Sequence, residues 1–174
     1  MGNRPAKLFC GLIGHSFDAV IEELIERFGK IDQRMGSISF IYTDYYIDEM
    51  GENLLRDWVT FEKLIDEEDI GKIKNITCGI ERKLSLRDRR TVNIDPGYVN
   101  LSRVILASTK DYSHRIYISQ GIFAEVTLIY KHKNFTPLPW TYPDYRDNIK
   151  FFERVRKKLY TNVNIKMQKG HRLE

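Results

Sequence analysis

One short segment of the chain combines side chains that bind anions with side chains that move protons. Lys110, Asp111, His114 and Arg115 fall within six consecutive positions. Lys and Arg bind phosphate or carboxylate groups, and the imidazole of a His is a common general acid or base. This composition predicts part of an active site, although the polar end of a β-strand would have the same residues.

His114 is predicted to approach Glu125 across a β-hairpin. Two apolar segments flank Gln120-Gly121, which is typical of a two-residue hairpin turn. With that turn, Ile116 lies opposite Glu125, and His114 becomes a diagonal neighbour of Glu125 on the same face. A carboxylate beside an imidazole orients the ring and raises its pKa. His114 and Glu125 are therefore our candidate catalytic pair.

Glu125 also has a purely structural interpretation. It interrupts an otherwise apolar strand over residues 122–126, where an unpaired carboxylate would be strongly unfavourable. An ion pair with Arg115 or Lys110 would satisfy it without catalysis, since ion-pair networks also perturb pKa values. Both interpretations stay open at this point.

Acidic side chains at strand ends predict a ligand or metal site. Asn93 and Asp95 alternate along a strand that a predicted turn at Asp95-Pro96-Gly97 ends, and strand ends often carry binding residues. Asp95 can instead be a turn residue that bonds its own backbone. Together with Asp44, at the end of another predicted strand, Asp95 and Glu125 could form an oxygen-rich site for Mg²⁺ or Mn²⁺.

A stiff aromatic segment lies at residues 137–146. Its three prolines restrict the backbone to extended or turn geometry. Aromatic rings there could stack on a base while an arginine holds a phosphate; alternatively, the loop buries its own rings against the core. The candidate ligand-binding residues of this segment are Trp140, Tyr142, Asp144 and Arg146.

The apolar pattern predicts the elements that position these groups. A continuous apolar run over residues 7–13 predicts a buried central strand, and helical spacing from Phe17 to Phe28 predicts a helix. The other elements are strands at 38–45, 54–64, 91–94, 98–101, 104–108, 114–119 and 122–130, a helix after Asp66, and a last helix over 148–160.

The first six elements follow the order β-α-β-β-α-β. This order predicts an α+β protein with a ferredoxin-like split βαβ core, extended by further antiparallel strands and a C-terminal helix. A length of 174 residues suits a single domain. We expect that domain to span residues 1–160 and a basic tail, which can be disordered, to span 161–174.

Charge is concentrated near the C-terminus. Residues 152–174 hold seven basic and two acidic side chains, whereas the whole chain has a net charge of +4. The basic last helix could therefore bind RNA. A solvated helix face is the alternative.

Several classes of protein are excluded or disfavoured. No apolar segment approaches the ~20 residues of a transmembrane helix, and the N-terminus lacks a secretory leader, so we expect a cytoplasmic protein without a membrane partner. Cys10 and Cys78 have no CxxC neighbours, which disfavours disulfides and structural zinc. P-loop, GxGxxG, GxSxG and HExxH motifs are absent from the sequence.

Three motifs resemble those of an uncharacterised prokaryotic family of domains of unknown function. They are VNIDPGY at residues 92–98, TKDYSHRIY at 109–117 and LPWTYPDYR at 138–146. The resemblance extends over nearly all of the chain to about Tyr160. It implies no established activity, so no catalytic residue can be transferred from it.

The residues themselves predict an enzyme that acts on a phosphorylated or nucleotide-like ligand by acid–base chemistry. In this hypothesis Lys110, Arg115 and Arg146 bind the anion, and Asp44 and Asp95 position the ligand or a metal. The alternative is a non-catalytic binding module for RNA or a protein partner, which would use the basic last helix and the loop around Trp140.

Overall fold

The computed structural model describes residues 4–170, with side chains as far as Asn164. Nine antiparallel strands form one sheet in the order β2-β4-β1-β5-β6-β8-β7, with β3 beside β4 and β9 beside β8. The strands are β1 (Pro5–Gly14), β2 (Ile31–Arg34), β3 (Ile38–Ser39), β4 (Leu55–Asp66), β5 (Val92–Val99), β6 (Arg103–Ser108), β7 (Ile116–Ser119), β8 (Ile122–Lys131) and β9 (Asn134–Pro137).

Helices cover both faces of the sheet. They are α1 (Asp18–Phe28), α2 (Ile47–Met50), α3 (Ile70–Leu84), α4 (Pro143–Asp147) and α5 (Ile149–Gly170), and a 3₁₀ turn, Glu67–Asp69, precedes α3. The α+β class predicted from the sequence is confirmed. No helix in residues 4–170 has the length and apolar character needed to cross a membrane.

The alternation of β1 explains why helices pack on both faces. Leu8 and Leu12 point into a cluster with Leu24 of α1 and Ile73 of α3. Phe9 points the other way, into a second cluster that includes residues of α5. Both faces of β1 are therefore buried, as its continuous apolar sequence predicts.

Strand β5 continues through Asp95-Pro96-Gly97, so the predicted turn at these residues is wrong. A Cβ on Gly97 would lie 2.4 Å from Cζ of Phe9 and 2.2 Å from the carbonyl oxygen of Ile105. Glycine is needed at this position for close packing within the sheet, and it does not mark a chain reversal.

A gap opens between β5 and β6 beyond Gly97. The two strands pair only from Gly97 with Leu106 to Val99 with Val104. In the gap, α3 supplies the missing partners for β5: the amide of Ile94 donates to Oε1 of Glu81 over 2.6 Å, and Nζ of Lys74 donates to the Ile94 carbonyl over 2.8 Å. The backbone of Ile94 thus stays satisfied without a strand on this side of β5.

Other elements differ from the sequence-based expectation. The strand predicted over 38–45 is only the two-residue β3, and β2, β9 and α4 were not predicted. Residues 40–46 instead form an irregular segment whose aromatic rings line a cavity. Helix α5 continues past Tyr160 into the predicted tail, whose residues 171–174 lie outside the described part of the chain.

The β7–β8 hairpin has the predicted turn but a different register. Ser119 pairs with Ile122 as predicted, and Gln120 and Gly121 adopt φ angles of 52° and 77°. An irregularity between Tyr117 and Ser119 then shifts the pairing, so Ile116 lies opposite Ala124 and not opposite Glu125. A bulge of one residue accounts for this change.

Candidate functional site

A cavity of about 300 Å³ occupies the gap between β5 and β6. Asn93 and Asp95 reach it from β5, and residues 106–108 reach it from β6. Lys74, Cys78 and Glu81 of α3 close one side, while the segment 40–46, the segment 108–115 and α4 enclose the other. Cavities of this size are typical of small-molecule sites.

Arg56 of β4 is a buried charged part of the cavity wall. Its side chain is 1% exposed, and its guanidinium carbon lies 4.3 Å from the ring centre of Trp58. Gly11 on the neighbouring strand makes room for it, because a Cβ there would approach Nη2 of Arg56 to 2.8 Å. The aromatic contact and the adjacent glycine together fix the guanidinium in place.

Two carboxylates neutralise Arg56 without satisfying its hydrogen bonds. Nε lies 3.0 Å from Oδ2 of Asp144, and Nη1 lies 3.5 Å from Oδ2 of Asp95. Within residues 4–164, however, neither Nε nor Nη1 makes an aligned hydrogen bond. A buried donor without an acceptor costs about 1–3 kcal/mol. Arg56 thus has two buried donors without an aligned acceptor in this part of the chain.

Burial acts on the pKa values of Arg56 and Asp144 in opposite directions. Burial alone would lower the pKa of Arg56, but Asp144, Tyr145 and Asp95 outweigh it and raise that pKa, so the guanidinium stays charged. Burial raises the pKa of Asp144, and the nearby Arg56 opposes this shift. The positive charge of Arg56 is the more firmly held of the two.

Asp95 lies between two cations and is oriented by a chain of hydrogen bonds. Its Oδ1 is 3.9 Å from Nζ of Lys74, and its Oδ2 accepts a 2.8 Å bond from Nδ2 of Asn93. Asn93 in turn accepts a 3.0 Å bond from Nη1 of Arg90, whose other nitrogens bind Glu49. We call Arg56, Lys74 and Asp95 the charged floor.

Arg115 lines the cavity but its donors bind the protein. It donates to Oε2 of Glu125 and Oγ of Ser108 over 2.8 Å each, to the Lys110 carbonyl over 3.0 Å and to the Tyr142 hydroxyl over 3.1 Å. These bonds hold segment 108–115 against α4. Arg115 therefore shapes the cavity, which differs from its predicted role as an anion ligand.

His114 and Glu125 make the predicted contact by a different route. Nε2 of His114 lies 3.0 Å from Oε2 of Glu125, although His114 precedes β7 and is not part of a paired strand. The His114 ring also stacks on Trp140, with 5.3 Å between centroids. Neither His114 nor Glu125 is among the residues that line the cavity. The pair lies behind Arg115, and the predicted ion pair between Arg115 and Glu125 is present.

Tyrosines surround the opening of the cavity. The rings of Tyr45, Tyr112 and Tyr142 are 58%, 45% and 40% exposed, and we call these three residues the tyrosine rim. Nζ of Lys110 lies 3.9 Å from the ring centre of Tyr45. Burial raises the pKa of Tyr142, so its hydroxyl stays protonated as a hydrogen-bond donor at neutral pH.

The structure brings together part of the predicted site. Asn93, Asp95, Lys110, Arg115, Tyr142 and Asp144 line the cavity. Asp44, Asp111, Trp140 and Arg146 are outside its lining. Trp140 donates a 2.9 Å bond to the Val126 carbonyl, and Arg146 donates a 3.4 Å bond to the Thr141 carbonyl.

The predicted metal site is not assembled. Among the described side chains, those of residues 4–164, no three of His, Cys, Asp or Glu are grouped closely enough to hold a metal ion. Asp95 lines the cavity, whereas Glu125 is buried against Arg115. The set of Asp44, Asp95 and Glu125 expected from the sequence is therefore corrected.

Sequence reasoning missed Arg56, Lys74, Glu81 and Arg90. A signal was present for the first three. Arg56 precedes Trp58 inside an apolar strand, and Lys74 and Glu81 are seven residues apart on the apolar face of a helix, with Cys78 between them. Charged residues on buried faces need partners, so these positions predict a polar interior. Arg90 has no comparable signal.

The fold and the cavity define an α+β protein with a charged, tyrosine-lined cavity between two diverging strands of one antiparallel sheet. Over residues 4–159 the chain matches the family described as a domain of unknown function, DUF4416. The chain belongs to this family, which confirms the resemblance found in its motifs. No curated protein and no solved structure gives a significant match.

Proposed function

We propose that the protein is an enzyme that binds a small phosphorylated ligand in the cavity and acts on it by acid–base chemistry. The observation that carries this proposal is Arg56, a buried arginine at the cavity wall whose Nε and Nη1 have no aligned acceptor within residues 4–164. A phosphate oxygen would supply the missing acceptor with a charge-assisted hydrogen bond.

The positions of the cations in the cavity, and not its net charge, support an anionic ligand. Its lining contains the cations Arg56, Lys74, Arg90, Lys110 and Arg115 and the carboxylates Glu81, Asp95 and Asp144. Arg90 and Arg115 are held by Glu49 and Glu125, respectively. Arg56 and Lys74 are then the inner cations for the ligand, and Lys110 is the outer one. The enclosed position strengthens such contacts relative to those at a surface.

Asp95 is the best-placed group for proton transfer. Its carboxylate is partly open to the cavity, is oriented by Asn93 and lies next to both inner cations. A general base must reach the ligand directly or through one water molecule, which favours Asp95 over the His114–Glu125 pair. In this proposal the pair positions Arg115.

The binding part of this proposal is tested by calorimetric titration with inorganic pyrophosphate. We expect binding to the wild type and a loss of at least about tenfold in affinity for Lys74→Met. Arg103→Met, on an exposed part of β6, is the matched control and should bind normally.

Arg56 needs a compensated variant because its loss leaves the buried carboxylate of Asp144 without its cation. Arg56→Met combined with Asp144→Asn removes both members of a buried pair, which is better tolerated than removal of one. We expect this double variant to fold, as judged by circular dichroism, and not to bind pyrophosphate. Equal binding by the double variant and the wild type would overturn the proposal, as would a wild type that binds no phosphorylated compound.

We also infer that β1, α1, β2, β4, α3 and β5 form a ferredoxin-like core. The order β2-β4-β1-β5, the antiparallel sense of each neighbouring pair and the shared cluster of α1 with α3 support this inference. The pieces β3 and α2 are then insertions between β2 and β4. An experimental structure with α1 and α3 on opposite faces would contradict it.

A second candidate function is RNA binding beside α5. A groove there is lined by Tyr130, Lys133, Glu153, Arg156, Lys157 and Tyr160, and the guanidinium of Arg156 lies 3.4 Å from the Tyr130 ring centre. Cations next to exposed aromatic rings suit single-stranded nucleic acid.

This candidate predicts that single-stranded RNA binds and that salt weakens binding. The logarithm of affinity should fall by about 0.7 per contacted phosphate for each log unit of salt. Lys133→Ala with Lys157→Ala should reduce that slope, whereas Lys63→Ala with Lys72→Ala, on other exposed surfaces, should not. RNA binding that is absent or independent of salt would remove this candidate.

A further inference from the structure

The cavity has two chemically different ends. The charged floor provides the buried cations Arg56 and Lys74 beside Asp95, whereas the tyrosine rim presents exposed rings at the opening. A compact inorganic anion would use only the floor. The rim suggests that the ligand also carries a flat, apolar part.

Two rings near the opening are fixed by cations of the protein. Nζ of Lys110 lies 3.9 Å from the centre of Tyr45, and the guanidinium of Arg115 lies 4.5 Å from the centre of Tyr112. Because Arg115 is held by Glu125 and Tyr142, Tyr112 packs against a rigid group. A ring ordered in advance loses less entropy when a planar ligand stacks on it.

The charged floor also offers an acceptor of hydrogen bonds. Asp95 accepts hydrogen bonds at its carboxylate, and Asn93 beside it also lines the cavity. A carboxylate next to two cations is suited to hydroxyl groups, which donate hydrogen bonds to it close to a bound anion. The floor is therefore suited to an anion with neighbouring hydroxyl groups, and the rim to a flat ring.

We propose that the ligand is a nucleoside monophosphate, with its phosphate on Arg56 and Lys74, its sugar hydroxyls on Asp95 and its base on Tyr112. This inference rests on the proposed function and specifies its substrate class. Tyr112 contacts the face of the base by stacking, and stacking tolerates different bases. We therefore expect little discrimination among the four common bases.

Three probes separate this inference from the proposed function. Affinities for inorganic pyrophosphate, ribose 5-phosphate and adenosine monophosphate are measured by calorimetry on the full chain. Base stacking on an aromatic side chain contributes about 1–3 kcal/mol, so we expect the nucleotide to bind about fivefold to a hundredfold tighter than ribose 5-phosphate.

Variants of Tyr112 test whether the tighter binding of the nucleotide, relative to ribose 5-phosphate, comes from this ring. Tyr112→Leu should remove most of the preference for the nucleotide and leave the affinity for ribose 5-phosphate unchanged. Tyr112→Phe should keep the preference, because the ring is retained. Tyr160→Leu, which removes an exposed ring on α5 outside the cavity, is the control and should behave as the wild type.

Each alternative outcome has a distinct meaning. Equal affinities for the nucleotide and ribose 5-phosphate would overturn this inference and leave the proposed function standing. A nucleotide preference that survives in Tyr112→Leu would overturn the assignment of the base to Tyr112. Absence of binding by all three probes would overturn the proposed function, and this inference with it.

Discussion

Nη1 of Arg56 lies 3.5 Å from Oδ2 of Asp95, close enough for electrostatic attraction but too far for a hydrogen bond. Asp95 has a similar relationship with Lys74, at 3.9 Å. One carboxylate thus reduces the repulsion between two buried cations without occupying their donors. A ligand anion can bind these donors while Asp95 keeps its bond from Asn93.

This arrangement predicts opposite effects of Asp95→Asn on binding and on turnover. Removal of a negative charge next to both inner cations should strengthen pyrophosphate binding by about fivefold, because repulsion between Asp95 and the ligand is lost. Turnover of the substrate, once identified, should fall by at least about a hundredfold if Asp95 transfers the proton. Calorimetry measures the first effect, and weaker binding by Asp95→Asn would contradict it.

Gly11→Ala should impair the site by displacing Arg56. The added Cβ would lie 2.8 Å from Nη2 of Arg56 and 3.1 Å from Nε1 of Trp58, so the guanidinium must move. We expect affinity for pyrophosphate to fall at least about tenfold and the free energy of unfolding to fall by about 1–3 kcal/mol.

Gly79→Ala is the matched control for this substitution. Its Cβ would have only Nη2 of Arg82 nearby, at 3.9 Å, on helix α3. Alanine is favoured over glycine inside a helix by about 0.5–1 kcal/mol, so urea unfolding should show a gain in stability and calorimetry normal binding. If Gly11→Ala binds normally as well, Arg56 does not hold the anion.

Glu125 should matter more for stability than His114. Glu125 is fully buried and bonds Arg115, whose side chain is also buried, whereas His114 is partly exposed. Removal of one member of a buried pair costs about 3–5 kcal/mol, so Glu125→Ala should lower the free energy of urea unfolding by that amount. His114→Ala should cost about 1 kcal/mol.

The exposed pair of Lys30 and Glu62 provides the comparison for Glu125. Glu62→Ala removes a 2.9 Å surface contact and should change stability by less than about 1 kcal/mol. Equal costs for His114→Ala and Glu125→Ala would argue against a mainly structural role for Glu125.

Asp32 should make stability depend on pH in the acid range. Burial acts to raise its pKa, but hydrogen bonds from Lys7, Thr60 and Lys158 outweigh burial and lower the pKa below the ordinary value of 3.8. The stabilisation is therefore complete above that ordinary value and is lost as the pH falls through the lower folded-state pKa.

Asp32→Asn tests this direction. The wild type should be more stable than the variant at pH 6, and the difference should shrink as the pH falls below 3.8, as followed by urea unfolding at each pH. The opposite slope, with a difference that grows on acidification, would show that burial dominates over the hydrogen bonds.

The apolar pattern of the sequence predicts the elements that pack against segments close to them in the chain, or that bury a uniformly apolar face. Strand β1 and helix α1 are recovered within a few residues, since each shows a clear period and α1 ends at Gly29. Irregular segments carry no such period, and β2 and β9, at four residues each, are too short to show one.

The site was only partly predictable because it depends on how two strands diverge. Asn93 and Asp95 were identified from their alternation, but the turn expected at Pro96-Gly97 concealed the continuity of β5. The contact between His114 and Glu125 was predicted from a register that a bulge changes. No local pattern indicates that Arg56 from β4 meets Asp144 from α4, because 88 positions of chain separate them.

Pro96 gives the gap between β5 and β6 a chemical cause. With Gly97 opposite Leu106, the next pair would be Pro96 with Ala107. Pro96 lies two residues after Ile94, so the backbone nitrogens of both residues point toward the same edge of β5. The amide of Ile94 points away from β1. The ring nitrogen of Pro96 therefore occupies a position from which a ladder donor would come. The ladder between β5 and β6 lacks a donor at this residue, and the pairing ends at Gly97 with Leu106. The missing amide hydrogen of Pro96 thus favours an open space between β5 and β6, and this part of the cavity follows from the covalent chemistry of the chain.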